Sequence, residues 1–161
     1  METNHAKENA AGWVQSIAEM VAALECDYDR LTELRDTRDA EEAMDDADKE
    51  ELATLEADCK IDGEEMADAE AARERIQESP LSVQVRSDWR DVGDDHGDPT
   101  EFCILLSTGG PALRIMGELG EHNQPDRAWL EYRDWGTGWT QYFEVEQATL
   151  LSFASCFYFG E

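Results

Sequence analysis

Positive charge is what this sequence has least of: 13 Lys and Arg stand against 39 Asp and Glu, a formal net charge of −26 at neutral pH. A surface read from phosphate contacts needs clustered Lys and Arg, and anionic membranes demand the same, so neither nucleic acid nor a membrane is the expected partner. Long apolar runs are also missing, since none approaches the roughly 20 residues that span a bilayer. The opening Met-Glu-Thr-Asn-His lacks a basic n-region and an apolar core, so no signal or transit peptide is expected and the localisation expected is cytoplasmic. Cysteine is sparse and scattered: Cys26, Cys59, Cys103 and Cys156 form no Cys-x-x-Cys pair, which fits reduced, mainly buried thiols rather than a disulfide framework.

Catalytic motifs are absent as well. His5, His96 and His122 stand in no His-Glu-x-x-His setting, there is no Gly-x-Ser-x-Gly, and Gly109-Gly110-Pro111 lacks the Lys-Ser/Thr continuation of a phosphate loop. Asp91, Asp94, Asp95, His96 and Asp98 crowd one oxygen-rich stretch, but it departs from the 12-residue Ca²⁺ loop and has no closing bidentate Glu, so it reads as a polar loop. With so many acids, neighbouring carboxylates arise by chance and carry no argument for general acid–base chemistry. The expectation is a non-enzymatic protein without metal or cofactor.

What is present is unevenly placed. Between Asp36 and Glu70 lie 16 carboxylates against Arg38, Lys49 and Lys60. Among the aromatics only Trp13 and Tyr28 precede residue 80, which suggests two parts, an acidic helical arm over 1–80 and an aromatic-rich body over 81–161. In the arm Val14, Ile17, Val21, Leu24, Tyr28 and Leu31 recur at spacings of three and four, a narrow stripe suited to helix pairing. It predicts one helix from about Ala10 to about Arg38, on the order of 43 Å long at 1.5 Å per residue. A second stripe is Leu52, Leu55 and Cys59, and a third is Met66, Ala69 and Ile76. Residues 36–48 offer almost nothing to bury and read as the turn between antiparallel helices. Asp62, with Glu65 three residues on, reads as an N-cap that starts a helix ending near Pro80.

After Pro80 the period becomes two. Leu81, Val83 and Val85 alternate with Ser82, Gln84 and Arg86, Phe102, Ile104 and Leu106 repeat the spacing of two, and Leu113 with Ile115 follows the Gly109-Gly110-Pro111 turn. Further strands are expected at 127–133 and 139–145, and a helix follows Glu146 with Leu150, Ala154 and Phe157 on one face and Leu151 and Tyr158 beside it. Trp129, Trp135 and Trp139 have few bases around them to hold a phosphate backbone, so they are expected in core and hairpin packing. The fold class is therefore α+β: an acidic helical hairpin or three-helix arm, then a small antiparallel sheet of four to five strands with a C-terminal helix.

The segment from Arg127 through Trp129, Tyr132, Trp135, Trp139, Tyr142 and Phe143 to Cys156-Phe157-Tyr158-Phe159-Gly160-Glu161 resembles small acidic proteins of bacterial prophages and conjugative elements. That resemblance covers roughly the last half and implies a mobile-element setting. In composition alone, the acidic arm is similar to nucleic-acid-mimicking anti-defence proteins, among them anti-CRISPR and antirestriction proteins. Duplex DNA carries about one negative charge per 1.7 Å of axis, and helices with acids at i, i+3 and i+4 place carboxylates roughly 4.5–6 Å apart along a face.

The function expected is thus an acidic binding protein that engages a basic protein surface, as a DNA mimic toward a host defence nuclease or CRISPR-type complex. Its binding row is Asp36, Asp39, Glu41, Glu42, Asp45, Asp46, Asp48, Glu50, Glu51, Glu56, Asp62, Glu64, Glu65 and Asp68. The alternative is a structural or adaptor protein, homodimeric or paired with another helix through the Val14 to Leu31 stripe. A solvated face without a partner, or adaptation to high salt, also accounts for acidity of this kind; salt adaptation should spread acid over the whole surface, and the concentration over 36–70 argues against that second account alone.

Overall fold

The computed structural model describes residues 4–94 and 97–160. The protein is α+β, with helices α1 (His5–Glu25), α2 (Tyr28–Asp39) and α3 (Asp46–Asp58), a two-stranded ribbon of β1 (Lys60–Ile61) and β2 (Glu64–Glu65), and helix α4 (Ala69–Glu78). Strands β3 (Ser82–Arg86), β4 (Glu101–Ser107), β5 (Ala112–Leu119), β6 (Pro125–Arg133) and β7 (Thr140–Tyr142) follow, then helix α5 (Gln147–Ala154). Contacts divide the chain into two compact units, residues 18–75 and residues 1–17 with 76–161. Among the described residues no helix is long and apolar enough to cross a membrane.

In the unit 18–75, the single long helix expected from Ala10 to Arg38 is two helices. Asp27 leaves helical geometry and its carboxylate accepts from the Arg30 N–H at 2.9 Å, so a local N-cap wins over continuation of the stripe. Leu31 and Leu34 of α2 then bury against Leu52 and Cys59, with Cys26, Tyr28, Met44 and Leu55 packed around them. The turn expected over 36–48 is there, narrowed to the residues between Asp39 and Asp46.

Asp62 does not start a helix. Asp62 and Gly63 both take positive φ, 52° and 77°, and Ile61 pairs with Glu64, so this Asp-Gly makes the tight two-residue hairpin that such pairs favour. Helix α4 begins later, where the Asp68 carboxylate accepts from the Ala71 N–H at 2.8 Å. Its stripe shifts accordingly, with Met66, Ala72 and Ile76 buried and Ala69 exposed.

The second unit is built on the antiparallel sheet β3-β4-β5-β6-β7. Register places Ile104 beside Ile115 and Ile115 beside Leu130, so the buried face runs straight across three central strands. Phe153 and Leu150 of α5 are buried with them, as is Phe159, whose ring centroid lies 4.8 Å from that of Phe102. Phe157 is only half-buried and Tyr158 is exposed, because α5 ends at Ala154 and its face does not extend to them. From α1, Ala6 and Ala10 are buried, and the Asn9 amide donates to the Ser107 hydroxyl at 3.1 Å.

The tryptophans also depart from expectation. Trp135 is exposed in the loop before β7, while Trp129 and Trp139 are half-buried on the sheet's other face. There the guanidiniums of Arg114 and Arg133 sit 4.0 and 4.5 Å from the Trp139 ring centroid, and Arg114 pairs with Glu131 at 2.7 Å. Alternation along β6 sends Trp129 and Leu130 to opposite faces, so packing against cations replaces packing in the core.

Candidate acidic docking surface

Residues 18–75 hold 22 acids and 7 bases, a net charge of −15. All five arginines of this unit are engaged with carboxylates. Arg30 reaches from α2 to α3 and grips Glu51 with two nitrogens at 3.1 and 3.0 Å, the fork geometry that suits a carboxylate. It also pairs with Glu33 at 3.1 Å and Asp48 at 3.2 Å. Arg35 and Arg38 share Glu56 at 3.2 and 3.0 Å. Arg35 continues to Glu65 in β2, Arg38 to Asp39, and Arg75 holds Glu64 at 2.6 Å and Asp62 at 3.5 Å.

The fourteen acids of the expected row thus fall into three groups. Asp39, Asp48, Glu51, Glu56, Asp62, Glu64 and Glu65 pair with arginine. Asp45 and Asp68 cap helices, Asp45 accepting from the Asp48 N–H at 2.7 Å and Asp68 from Ala71. Asp36, Glu41, Glu42, Asp46 and Glu50 take part in no ion pair among the described residues, and all five are exposed. These five cluster in sequence around the turn joining α2 to α3.

That turn has an unusual stop. The Glu42 N–H donates to the Thr37 carbonyl and the Glu41 N–H to the Arg38 carbonyl, both at 3.1 Å, the paired bonds of a Schellman motif. Its left-handed position, normally glycine, is Glu41 with φ 56°.

The arginine contacts tune the acids they touch. The hydrogen bond from Arg35 holds the Glu65 carboxyl below the usual carboxylate range, and Glu65 in turn raises the Arg35 guanidinium. Burial pushes the Cys26 and Cys59 thiols up, which disfavours the nucleophilic thiolate. The same surroundings push Tyr28 up to about 12, burial contributing most and Cys26 next.

Of the six residues proposed for helix pairing, Ile17, Val21 and Leu31 are buried and Val14, Leu24 and Tyr28 are half-buried within the chain. They form no continuous exposed seam, because the break at Asp27 separates Tyr28 and Leu31 from the helix that carries the others. Among the described residues no three His, Cys, Asp or Glu side chains are grouped to hold a metal; Asp95 and His96 of the oxygen-rich stretch lie outside them.

Sequence reasoning missed the part played by Arg30, Arg35 and Arg38. The signal was available: α2 carries all three, whereas α3 carries six acids and only Lys49, so a hairpin of the two helices had to be cross-linked from one side. Comparison with family models, with curated proteins and with solved structures finds no match.

Proposed function

We propose that residues 18–75 form an acidic docking surface for a basic protein, centred on Asp36, Glu41, Glu42, Asp46 and Glu50, and that it occupies a surface which otherwise holds nucleic acid. Support comes from one observation: this unit commits every arginine to internal pairs and leaves those five carboxylates without one. A carboxylate already gripped by a guanidinium has little field left to offer, whereas an unpaired one attracts a basic partner at long range and raises its association rate. A glutamate at the left-handed position of a helix stop points the same way, since glycine fits that backbone better and glutamate adds only charge. The setting we propose is a mobile genetic element acting on a host defence or DNA-processing complex.

The test is affinity capture from host lysate at low and high salt, with the chain carrying D36N, E41Q, E42Q, D46N and E50Q as comparison. Loss of a captured nucleic-acid-binding protein in the variant, and displacement of it by added duplex DNA, are the expected results. Equal capture by both chains at every salt concentration, or simultaneous binding of DNA and this protein to the partner, would leave only a solvated face.

A further inference from the structure

Among the described residues, strand β3 is an edge of the five-stranded sheet and pairs with β4 alone. An edge strand turns alternate backbone N–H and C=O groups away from its one neighbour, and proteins usually blunt such an edge with charge, proline or a covering loop. Here that protection is slight among the described residues: Arg86 is the only charge on the strand and Pro80 lies just before it. Leu81, Val83 and Val85 remain 59%, 38% and 47% exposed, and Trp89 and Val92 just beyond are fully exposed. Open hollows of about 210, 400 and 360 Å³ all border Arg86 at the end of this strand.

Charge identifies the occupant. From Ser79 to Ser87 there is no acid, and the one charge, Arg86, is paired with Glu101 of β4. A second copy of a chain with net charge −26 is repelled over most of its surface, but not at this acid-free stretch. The opposite edge is less suitable, because β7 is three residues long and is followed by Glu144 and Glu146.

The geometry points to an isologous dimer in which the β3 strands of two copies pair antiparallel, joining the two sheets into one. The sequence of the strand is self-complementary for this. Centred on Gln84, the pairing sets Val83 of one copy opposite Val85 of the other and Ser82 opposite Arg86, so apolar meets apolar on one face and no like charges meet on the other. Leu81, Trp89 and Val92 supply apolar area beyond the backbone bonds. The inference is independent of the acidic docking surface, and either can fail alone.

Sedimentation of the full chain across micromolar concentrations tests it. A species of twice 18.2 kDa is expected, and it should become more populated as salt rises, because added ions screen the repulsion between the acidic copies. Val85→Lys and Gln84→Glu change exposed side chains; the second places two carboxylates opposite each other on the two-fold axis. Each should raise the dimer dissociation constant at least about tenfold while leaving the circular dichroism unchanged. Backbone amide exchange of residues 82–86 should slow as concentration increases. A monomer at every concentration and salt, a dimer that weakens with salt, a dimer indifferent to both substitutions, or β3 exchange independent of concentration would each overturn the proposal.

Discussion

The Tyr28 hydroxyl donates to the Ala23 carbonyl at 2.6 Å, so a side chain at the start of α2 closes the end of α1. Helix ends leave carbonyls without intrahelical partners, and here the partner comes from the residue just past the break. Tyr28→Phe should therefore cost about 1 kcal/mol, the ordinary net value of such a bond, read as a lower urea midpoint.

The same residue controls behaviour in alkali. Its folded pKa of about 12 lies above the ordinary value of roughly 10, so the neutral phenol is favoured in the fold. The corresponding stability is fully present below about pH 10 and is lost as pH rises through 12. Ultraviolet titration should show Tyr28 ionising together with unfolding at that end, and the loss of that step in Tyr28→Phe identifies it beside Tyr142, whose phenol burial also pushes up. Tyr28→Phe should remove that phenolate and its share of the alkaline loss, leaving the contributions of Cys26, Cys59, Cys103 and Tyr142, which burial shifts in the same direction.

Acid acts through Glu65. Arg35 depresses its pKa, so the unfolded chain takes up a proton at this site before the folded chain does. The Arg35–Glu65 contribution is present above the ordinary carboxylate value of roughly 4.3 and disappears as pH falls through the lowered one. Glu65→Gln should reduce the steepness of acid destabilisation below about pH 4, with little change in its slope near neutrality. An acid limb identical in the two proteins would show that the pair does not contribute.

Much of the fold was legible because periodicity and burial agree. Phe102, Ile104 and Leu106, like Leu113 and Ile115, recur at a spacing of two, and Ile104, Ile115 and Leu130 are fully buried in register. Legibility failed where a short polar side chain had two uses. Asp27 sits within a stripe of helical spacing yet caps a new helix, and Asp62 resembles a cap but is half of an Asp-Gly turn. Both outcomes are local hydrogen-bond or backbone choices that apolar periodicity does not record. At the candidate site, acid density was plain, but its division into paired and unpaired carboxylates depended on which α3 acids lie across from Arg30, Arg35 and Arg38. That is a property of helix packing, settled by Leu31, Leu34 and Leu52.

Packing sets a sharp limit at Gly117. A Cβ there would lie 2.2 Å from the Phe102 ring and 2.3 Å from the Arg127 carbonyl oxygen. The ring can swing aside, but the carbonyl belongs to the β6 backbone, which is paired with β5 through this stretch. Gly117→Ala should cost about 3 kcal/mol or more, the upper part of the range for overpacking, seen in thermal unfolding. Adding Phe102→Leu should recover only part of the loss, because the backbone clash remains. Full recovery would place the whole conflict in the ring.

Glu41 separates stability from charge at one position. Its backbone is left-handed, φ 56°, a conformation that costs an L residue roughly 1–2 kcal/mol, part of which glycine returns through its greater freedom when unfolded. Glu41→Gly should therefore stabilise the chain by up to about 1 kcal/mol, whereas Glu41→Gln, which keeps the strained backbone and loses only the charge, should leave stability nearly unchanged. If this carboxylate serves docking, both variants should slow association with a basic partner by a similar small factor at low salt, and the difference should fade as salt rises. A glycine variant that is more stable yet weaker in binding would identify a site where the sequence retains strain for the sake of charge. Unchanged association in both would assign Glu41 to the solvated surface and shift the docking centre to Asp36, Asp46 and Glu50.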